Sequence, residues 1–252
     1  MTAQALLEVE GIHKTFGALQ VSRGISLTLP AGARHALIGP NGAGKTTFVN
    51  IVSGLLQPSA GKISIQGTDV TRASAEKRVR MGLVRTFQIS SLFTHLTVAE
   101  NVALGVSARK RTDWLPWGEM RRQTGMLDET ADILDRTGLL KLATTRLSRL
   151  AYGQRRLVEI AIALALRPQI LVLDEPAAGL SSADREVLFD LLTALPPELA
   201  VLIIEHDMSL VFRLARTISV LVEGAVLTEG SVEEIRNDQR VRDVYLGSSA
   251  HG

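Results

Sequence analysis

Gly39-Pro40-Asn41-Gly42-Ala43-Gly44-Lys45-Thr46 is the stretch on which the reading of this chain turns. It has the form G-x-x-x-x-G-K-[ST], a spacing that wraps backbone N–H groups around nucleotide phosphates. Its flanks suit that role. Ala36-Leu37-Ile38 reads as a buried strand just before it, and Thr47 to Leu55 as a helix just after, so Thr47 joins the same phosphate site. Glycines let the backbone approach a phosphate closely, and the helix N-terminus adds unsatisfied N–H groups and a positive dipole end. Lys45 is placed to reach the β/γ-phosphates of ATP, and the Thr46 hydroxyl to ligate Mg²⁺.

Ile170-Leu171-Val172-Leu173-Asp174-Glu175 carries the second signal. Four apolar residues make a buried strand, and two carboxylates emerge at its C-terminal end, where open α/β sheets bind ligands. Asp174 is expected to hold Mg²⁺ through its water shell. Glu175 is expected to take a proton from the water attacking the γ-phosphate. A third signal follows the next strand, where His206 lies just beyond apolar Val201 to Ile204 on the same sheet edge. An imidazole there would hydrogen-bond the γ-phosphate and sense its loss.

The 252 residues give room for one large α/β domain or one with a modest insertion, and a 46% apolar fraction is ample for its core. Cysteine is absent, which excludes disulfides, thiolate nucleophiles and cysteine-ligated metals. A net charge of +2 gives no ground for a nucleic-acid partner. Met1 to Glu10 lacks a basic region followed by an apolar core, so no secretory signal is expected. Arg167-Pro168 splits the longest apolar stretches into lengths too short to cross a bilayer. The basic residues Arg109 to Arg111, Arg121 and Arg122 flank Trp114 and Trp117; they read as a solvated surface loop or as a patch for lipid headgroups or nucleic acid.

The first third alternates as an antiparallel sheet does, through Leu7, Val9 and Ile12, then Ile25, Leu27 and Leu29, then Ile63 and Ile65. Leu83 to Phe87 is a further strand candidate. From about Ile89 to Leu166 the period becomes helical: Val98, Asn101, Val102 and Gly105 share one face, and Met126, Ile133, Leu134 and Thr137 another. Strand–helix alternation then resumes, with strands at Ile170 to Leu173, Leu199 to Ile204 and Ile218 to Val222, and helices from Ser182 and Met208. Glu223-Gly224 reads as a tight hairpin, and Ser231 with Glu234 as a capping box.

The segment Leu150 to Leu180, LAYGQRRLVEIAIALALRPQILVLDEPAAGL, resembles the signature motif, its helix, the second phosphate-site strand and the following loop of ABC-type ATPases. The resemblance covers nearly the whole chain. It implies an α/β fold, a P-loop NTPase core of ABC type with an antiparallel β-subdomain and an inserted α-helical subdomain. Residues 1–88 and 167–252 would form the core and 89–166 the insertion. It also assigns roles: Gln88 to the glutamine loop that contacts Mg²⁺ and the attacking water, His206 to the switch histidine, and Ala178 to Ser181 to a dimer-facing loop. Phe16 takes the place of the aromatic that stacks on adenine. Leu150, Ala151, Tyr152, Gly153 and Gln154 stand where L-S-G-G-Q binds the ATP held by a partner.

More narrowly, VRTFQISSLFTHLTVAENV, YGQRRLVEIA, DEPAAGL, IIEHDM and the closing YLG resemble the ATP-binding subunit of branched-chain amino acid importers. Relatives serving urea, amides or aromatic acids share much of this text. A non-transport ABC ATPase acting on nucleic acid is the competing class, but such proteins carry paired cassettes, long coiled coils or zinc cysteines. The resemblance implies a second ATP-binding subunit, identical or not, facing this one head to tail. It also implies two membrane permease subunits gripped by the helical insertion, an external solute-binding protein, and a peripheral place on the cytoplasmic face of the membrane. One departure stands out: Ala151 lacks the serine hydroxyl of L-S-G-G-Q, and Tyr152 replaces a glycine, so its backbone must avoid positive φ or bear strain.

Overall fold

The computed structural model describes residues 5–86, 92–110 and 125–247, and the side chains of these residues up to 245. It divides into two compact units, one of residues 1–83, 169–176 and 196–252, the other of residues 84–168 and 177–195.

The first unit is built from two sheets. Strands β1 (Ala5–Phe16), β2 (Leu19–Pro30), β4 (Ala60–Ile65) and β5 (Thr68–Asp69) form an antiparallel sheet in the order β2-β1-β4-β5. Its register pairs Leu7 with Leu29 and Ile65, and Val9 with Leu27 and Ile63, so the alternating apolar residues line one face. The second sheet has β3 (Arg34–Ile38) between β8 (Ala200–Ile204) and β9 (Thr217–Val222), both parallel to it. Strand β7 (Ile170–Asp174) runs parallel beyond β8, and β10 (Ala225–Ser231) returns antiparallel to β9 through the Glu223-Gly224 hairpin. At Glu223 and Gly224 φ is 47° and 82°, the positive pair that a two-residue hairpin demands. The chain passes to the second unit within β6 (Leu83–Arg85).

Period-2 alternation along β3 sends its side chains into two cores. Leu37 joins Leu7, Val9, Ile25, Ile63 and Leu202 in one, with Phe48 and Ile51 of helix α1 (Lys45–Val52). Ala36 and Ile38 join the other, with Val211 of α7 (Met208–Leu214), Ile218 and Val220, Ile235 of α8 (Val232–Asn237) and Val241 of α9 (Gln239–Gly247). Fully burying each of the larger of these side chains is worth about 1.5–3 kcal/mol, so β3, and with it the start of the loop at residues 39–46, rests on two buried clusters. Helix α1 begins at Lys45, two residues before the expected Thr47, because the left-handed Gly44 (φ 100°) already turns the chain into the helix. Its other end is closed from a distance. Arg78, on the short helix α2 (Ala75–Arg80), is fully buried and its guanidinium donates to the carbonyls of Ile51 (2.6 Å), Val52 (2.7 Å) and Thr71 (3.1 Å).

The second unit is helical: α3 (Val98–Lys110), α4 (Met126–Arg136), α5 (Tyr152–Ala165) and α6 (Ser182–Thr193). Thr97 and Glu100 cap α3 reciprocally, each side chain accepting the other's backbone N–H at 3.2 and 2.8 Å. Val98, Asn101, Val102, Gly105 and Val106 form its buried face, and Gly105 lets α3 close on Ala165 and Ile162 of α5. Asn101 spends its buried amide on the backbone of Phe93 and Thr97. The unit also takes in residues 177–195, which the sequence reading leaves in the core, because α6 packs beside α5.

Candidate functional site

In the first unit, residues 39–46 form a loop held from three sides. Gly39 abuts β9 so closely that a Cβ would run into the Leu221 carbonyl oxygen. The N–H of Gly224, in the β9–β10 hairpin, donates to the Ala43 carbonyl at 3.0 Å. The Lys45 ammonium donates to the Gly39 and Pro40 carbonyls at 2.6 and 3.0 Å, which holds it at the mouth of the loop. Lys45 is 8% exposed. Burial lowers its pKa, and the charges of Glu175 and Asp174 act against that shift. Thr46 is exposed at the first turn of α1.

The carboxylates sit where the parallel sheet ends. Asp174 pairs in register with Ile204, and the Glu175 N–H donates to the Ile204 carbonyl at 2.9 Å, so the acid pair ends level with the close of β8. Glu175 has φ 46°, a left-handed backbone that turns its side chain out of the strand line at a cost of order 1–3 kcal/mol. His206 Nδ1 lies 3.9 Å from Glu175 Oε1 and 3.8 Å from Glu205 Oε2. The His206 and Glu175 side chains are 60% and 49% open to solvent, whereas that of Glu205 is 1% exposed. Glu205 accepts the N–H groups of His206 (2.9 Å) and Asp207 (3.2 Å), and Asp207 caps α7 by accepting from Ser209 and Leu210. Sequence reasoning singled out His206 and missed Glu205, the residue that fixes the turn presenting it.

Phe16 stands at the end of β1, half exposed, with the Lys14 ammonium 5.0 Å above its ring and bonded to the Gln57 carbonyl at 2.8 Å. Gln88 lies outside the described residues, as does the segment from Arg111 to Arg122 with both tryptophans.

Leu150 to Gln154 belong to the second unit and open α5. Ala151 is the N-cap in extended conformation and brings no side-chain acceptor; only its own N–H is met, by Gln154 Oε1 at 3.1 Å. The first turn of α5 therefore keeps an anion-binding character through backbone N–H groups alone. Of the two courses left to Tyr152, it takes the one that avoids positive φ. It is the first helical residue, with no positive φ, and its ring lies against Gly179. Gly153 is set by packing: a Cβ there would run into the carboxyl of Asp184, which accepts from Ser181 Oγ at 2.7 Å.

These donors suit a nucleotide triphosphate. Amides, one buried ammonium and a helix N-terminus converge on the loop, facing a carboxylate pair. Among the described residues no cluster of three or more His, Cys, Asp or Glu forms a metal cage. The hydroxyl of Thr46 with the single carboxylate of Asp174 fits a Mg²⁺ ion, which keeps waters and takes phosphate oxygens.

Comparison with known proteins agrees with this geometry. The family described as ABC transporter matches residues 22–178, and that described as branched-chain amino acid ATP-binding cassette transporter matches residues 225–251. The high-affinity branched-chain amino acid transport ATP-binding protein LivG of Salmonella typhimurium is 39% identical, over 98% of this chain and 100% of its own length. BraF of Pseudomonas aeruginosa, of the same description, is 37% identical over the same shares. Among solved structures, a nucleotide-free ATP-binding cassette from an ABC transporter aligns with TM-score 0.82 at 28% identity, covering 96% of this chain and 98% of that one. The ADP conformation of MJ1267, an ATP-binding cassette of an ABC transporter, aligns with TM-score 0.82 at 27% identity, over 96% and 99%.

Proposed function

The chain belongs to the ABC transporter family, and we propose that it is the ATP-hydrolysing subunit of an importer for branched-chain or other hydrophobic amino acids. The observation that carries the ATPase reading is the gathering of Lys45, Asp174, Glu175 and His206 around one loop. The solute class rests on LivG, on BraF and on the match at residues 225–251.

In this reading the amides of residues 39–46 bind the phosphates of ATP, Lys45 moves from the loop carbonyls onto the phosphate oxygens, and Phe16 stacks on adenine. Glu175, its side chain half open to solvent, takes the proton of the attacking water. His206 holds the γ-phosphate from the other side and relays its departure to α7. Thr46 and Asp174, with Gln88, would hold Mg²⁺; when bound, the ion neutralises charge on the transferring phosphoryl group. The backbone N–H groups at the start of α5 would complete the site on a second ATP-binding subunit, without the hydroxyl that Ala151 lacks. The helical unit would couple closure of that pair to two permease subunits, fed by a solute-binding protein. Among the described residues no helix is long and apolar enough to cross a membrane, so attachment at the cytoplasmic face would come through those subunits.

Reconstitution tests the assignment. Proteoliposomes holding the two permeases, the second cassette and this chain should take up leucine only with internal ATP and the binding protein. Uptake that persists without this chain, or ATPase activity that responds to DNA or RNA instead, overturns it.

A further inference from the structure

The turn that opens α5 is held from behind by Arg155. Side chains on a helix lean toward its N-terminus, and that of Arg155 reaches back past the helix start. Its Nε donates to the Leu150 carbonyl at 3.0 Å and its Nη2 to the Ser148 carbonyl at 3.1 Å. The backbone it grips is itself fixed. Leu147–Arg149 form a 3₁₀ turn, and the N–H groups of Leu147 and Ser148 donate to the Leu96 and Thr94 carbonyls, each at 3.0 Å, in the segment that leads into α3. A side chain at the N-cap ordinarily meets the amide two or three residues on, and Ala151 has none to offer. A cation in the first turn also works against the helix dipole, so local helix preference does not explain an arginine here.

We propose that Arg155 is a positioning residue for the signature segment, taking over the part of the missing N-cap side chain and fixing the direction in which the first amides of α5 point. Three side chains bear on that direction. Gln154 Oε1 takes the Ala151 N–H, the Asp184 carboxyl fills the space beside Gly153, and Arg155 fixes the chain that enters the helix. The first acts within the helix start and the second from α6; of the three, Arg155 reaches the turn before the helix. When a phosphate held by a second subunit meets these amides, a turn already aimed loses less freedom on binding. The cation that disfavours this helix end in the free chain favours it once an anion is bound there.

The proposal rests on residues 150–154 being the segment that meets a partner's ATP. Arg155→Met tests it, keeping length and helix preference while removing the donors. The amides from Arg155 onward close the first turn of α5, beginning with the Arg155 N–H on the Ala151 carbonyl at 3.1 Å. In the nucleotide-free chain, hydrogen exchange of the peptide covering residues 150–157 should accelerate about three- to ten-fold, the scale of a hydrogen bond lost at a partly open position. Adding Ala151→Ser, which supplies an N-cap acceptor, should return much of that protection. Arg149, exposed on the same turn, controls for charge: Arg149→Gln should leave exchange as in wild type. In proteoliposomes holding the two permeases, the second cassette and this chain, the KM for ATP should rise by about the same factor in Arg155→Met. The Kd for ATP of the isolated chain, whose own loop lies in the other unit, should stay at the wild-type value. Unchanged exchange in Arg155→Met overturns the proposal, as does equal acceleration in Arg149→Gln, no recovery with Ala151→Ser, or a Kd that moves as far as KM. The exchange arm needs neither nucleotide nor partner, so a transporter indifferent to ATP would remove the functional reading and leave this test standing.

Discussion

Arg78→Met removes a buried guanidinium and keeps a side chain of similar length. The three carbonyls it serves do not fare alike. The Ile51 oxygen retains the N–H of Gly54 at 3.1 Å, whereas Val52 and Thr71 lose their donors at 2.7 and 3.1 Å. A buried carbonyl left unmet, as at Val52, costs about 1–3 kcal/mol, and the half-buried Thr71 carbonyl about the lower end of that range, so the two together cost about 2–4. Part of this is returned, because a cation no longer has to be buried. Burial already pulls the guanidinium down to about 10, although it stays charged at neutral pH. A net loss of about 1–3 kcal/mol follows, or roughly 2–12 °C in melting temperature at about 2–4 °C per kcal/mol for a chain of this size. Arg78→Lys should recover only part, since one ammonium cannot fork to carbonyls on separate segments. Thermal and urea unfolding of both variants give the numbers. An Arg78→Met protein melting within 2 °C of wild type, about the smallest resolvable change, would refute the view that this residue closes the helix bearing Lys45.

Two further outcomes follow from the same unit. Phe16→Ala should weaken ATP binding by about 1–2 kcal/mol, near 5- to 30-fold in Kd, with turnover at saturating ATP little changed; fluorescence titration checks it, and an unaltered Kd removes the stacking role. His35 is 3% exposed and bonded to Ser219 Oγ at 2.7 Å; burial lowers its pKa, with Glu229 opposing. The unfolded chain therefore takes the proton first, and stability falls as pH drops below about 6.5. His35→Gln should flatten that part of the melting-temperature profile, and an identical slope would show that His35 does not set it.

The glycine-rich turn into α1 and the strand that ends at the acid pair were legible because each needs only neighbouring residues: a glycine spacing, an apolar run, two carboxylates at its end. The antiparallel sheet showed itself through period-2 alternation at Leu7 to Ile12 and Ile25 to Leu29. Arg78 did not. In the basic run Glu76 to Arg80 it reads as one more solvated cation, and only the approach of α2 to the end of α1 makes it interior. For Tyr152 the sequence left two courses, avoiding positive φ or bearing strain, and a helix starting at that residue takes the first. Long-range contacts leave no period in the chain, and that is where sequence reading stopped.

The central claim is that Glu175 is the base for ATP hydrolysis on the loop that Lys45 serves. Glu175→Gln keeps the shape and removes the basic oxygen, and base catalysis is typically worth about 10²–10⁴-fold. Steady-state phosphate release should fall by that factor while ATP still binds with wild-type affinity, and with the proper partner present the ATP-held pair should accumulate in light scattering. Lys45→Ala should instead lose nucleotide and never pair. A Glu175→Gln protein that hydrolysed ATP at the wild-type rate would contradict the account and pass the role of base to His206.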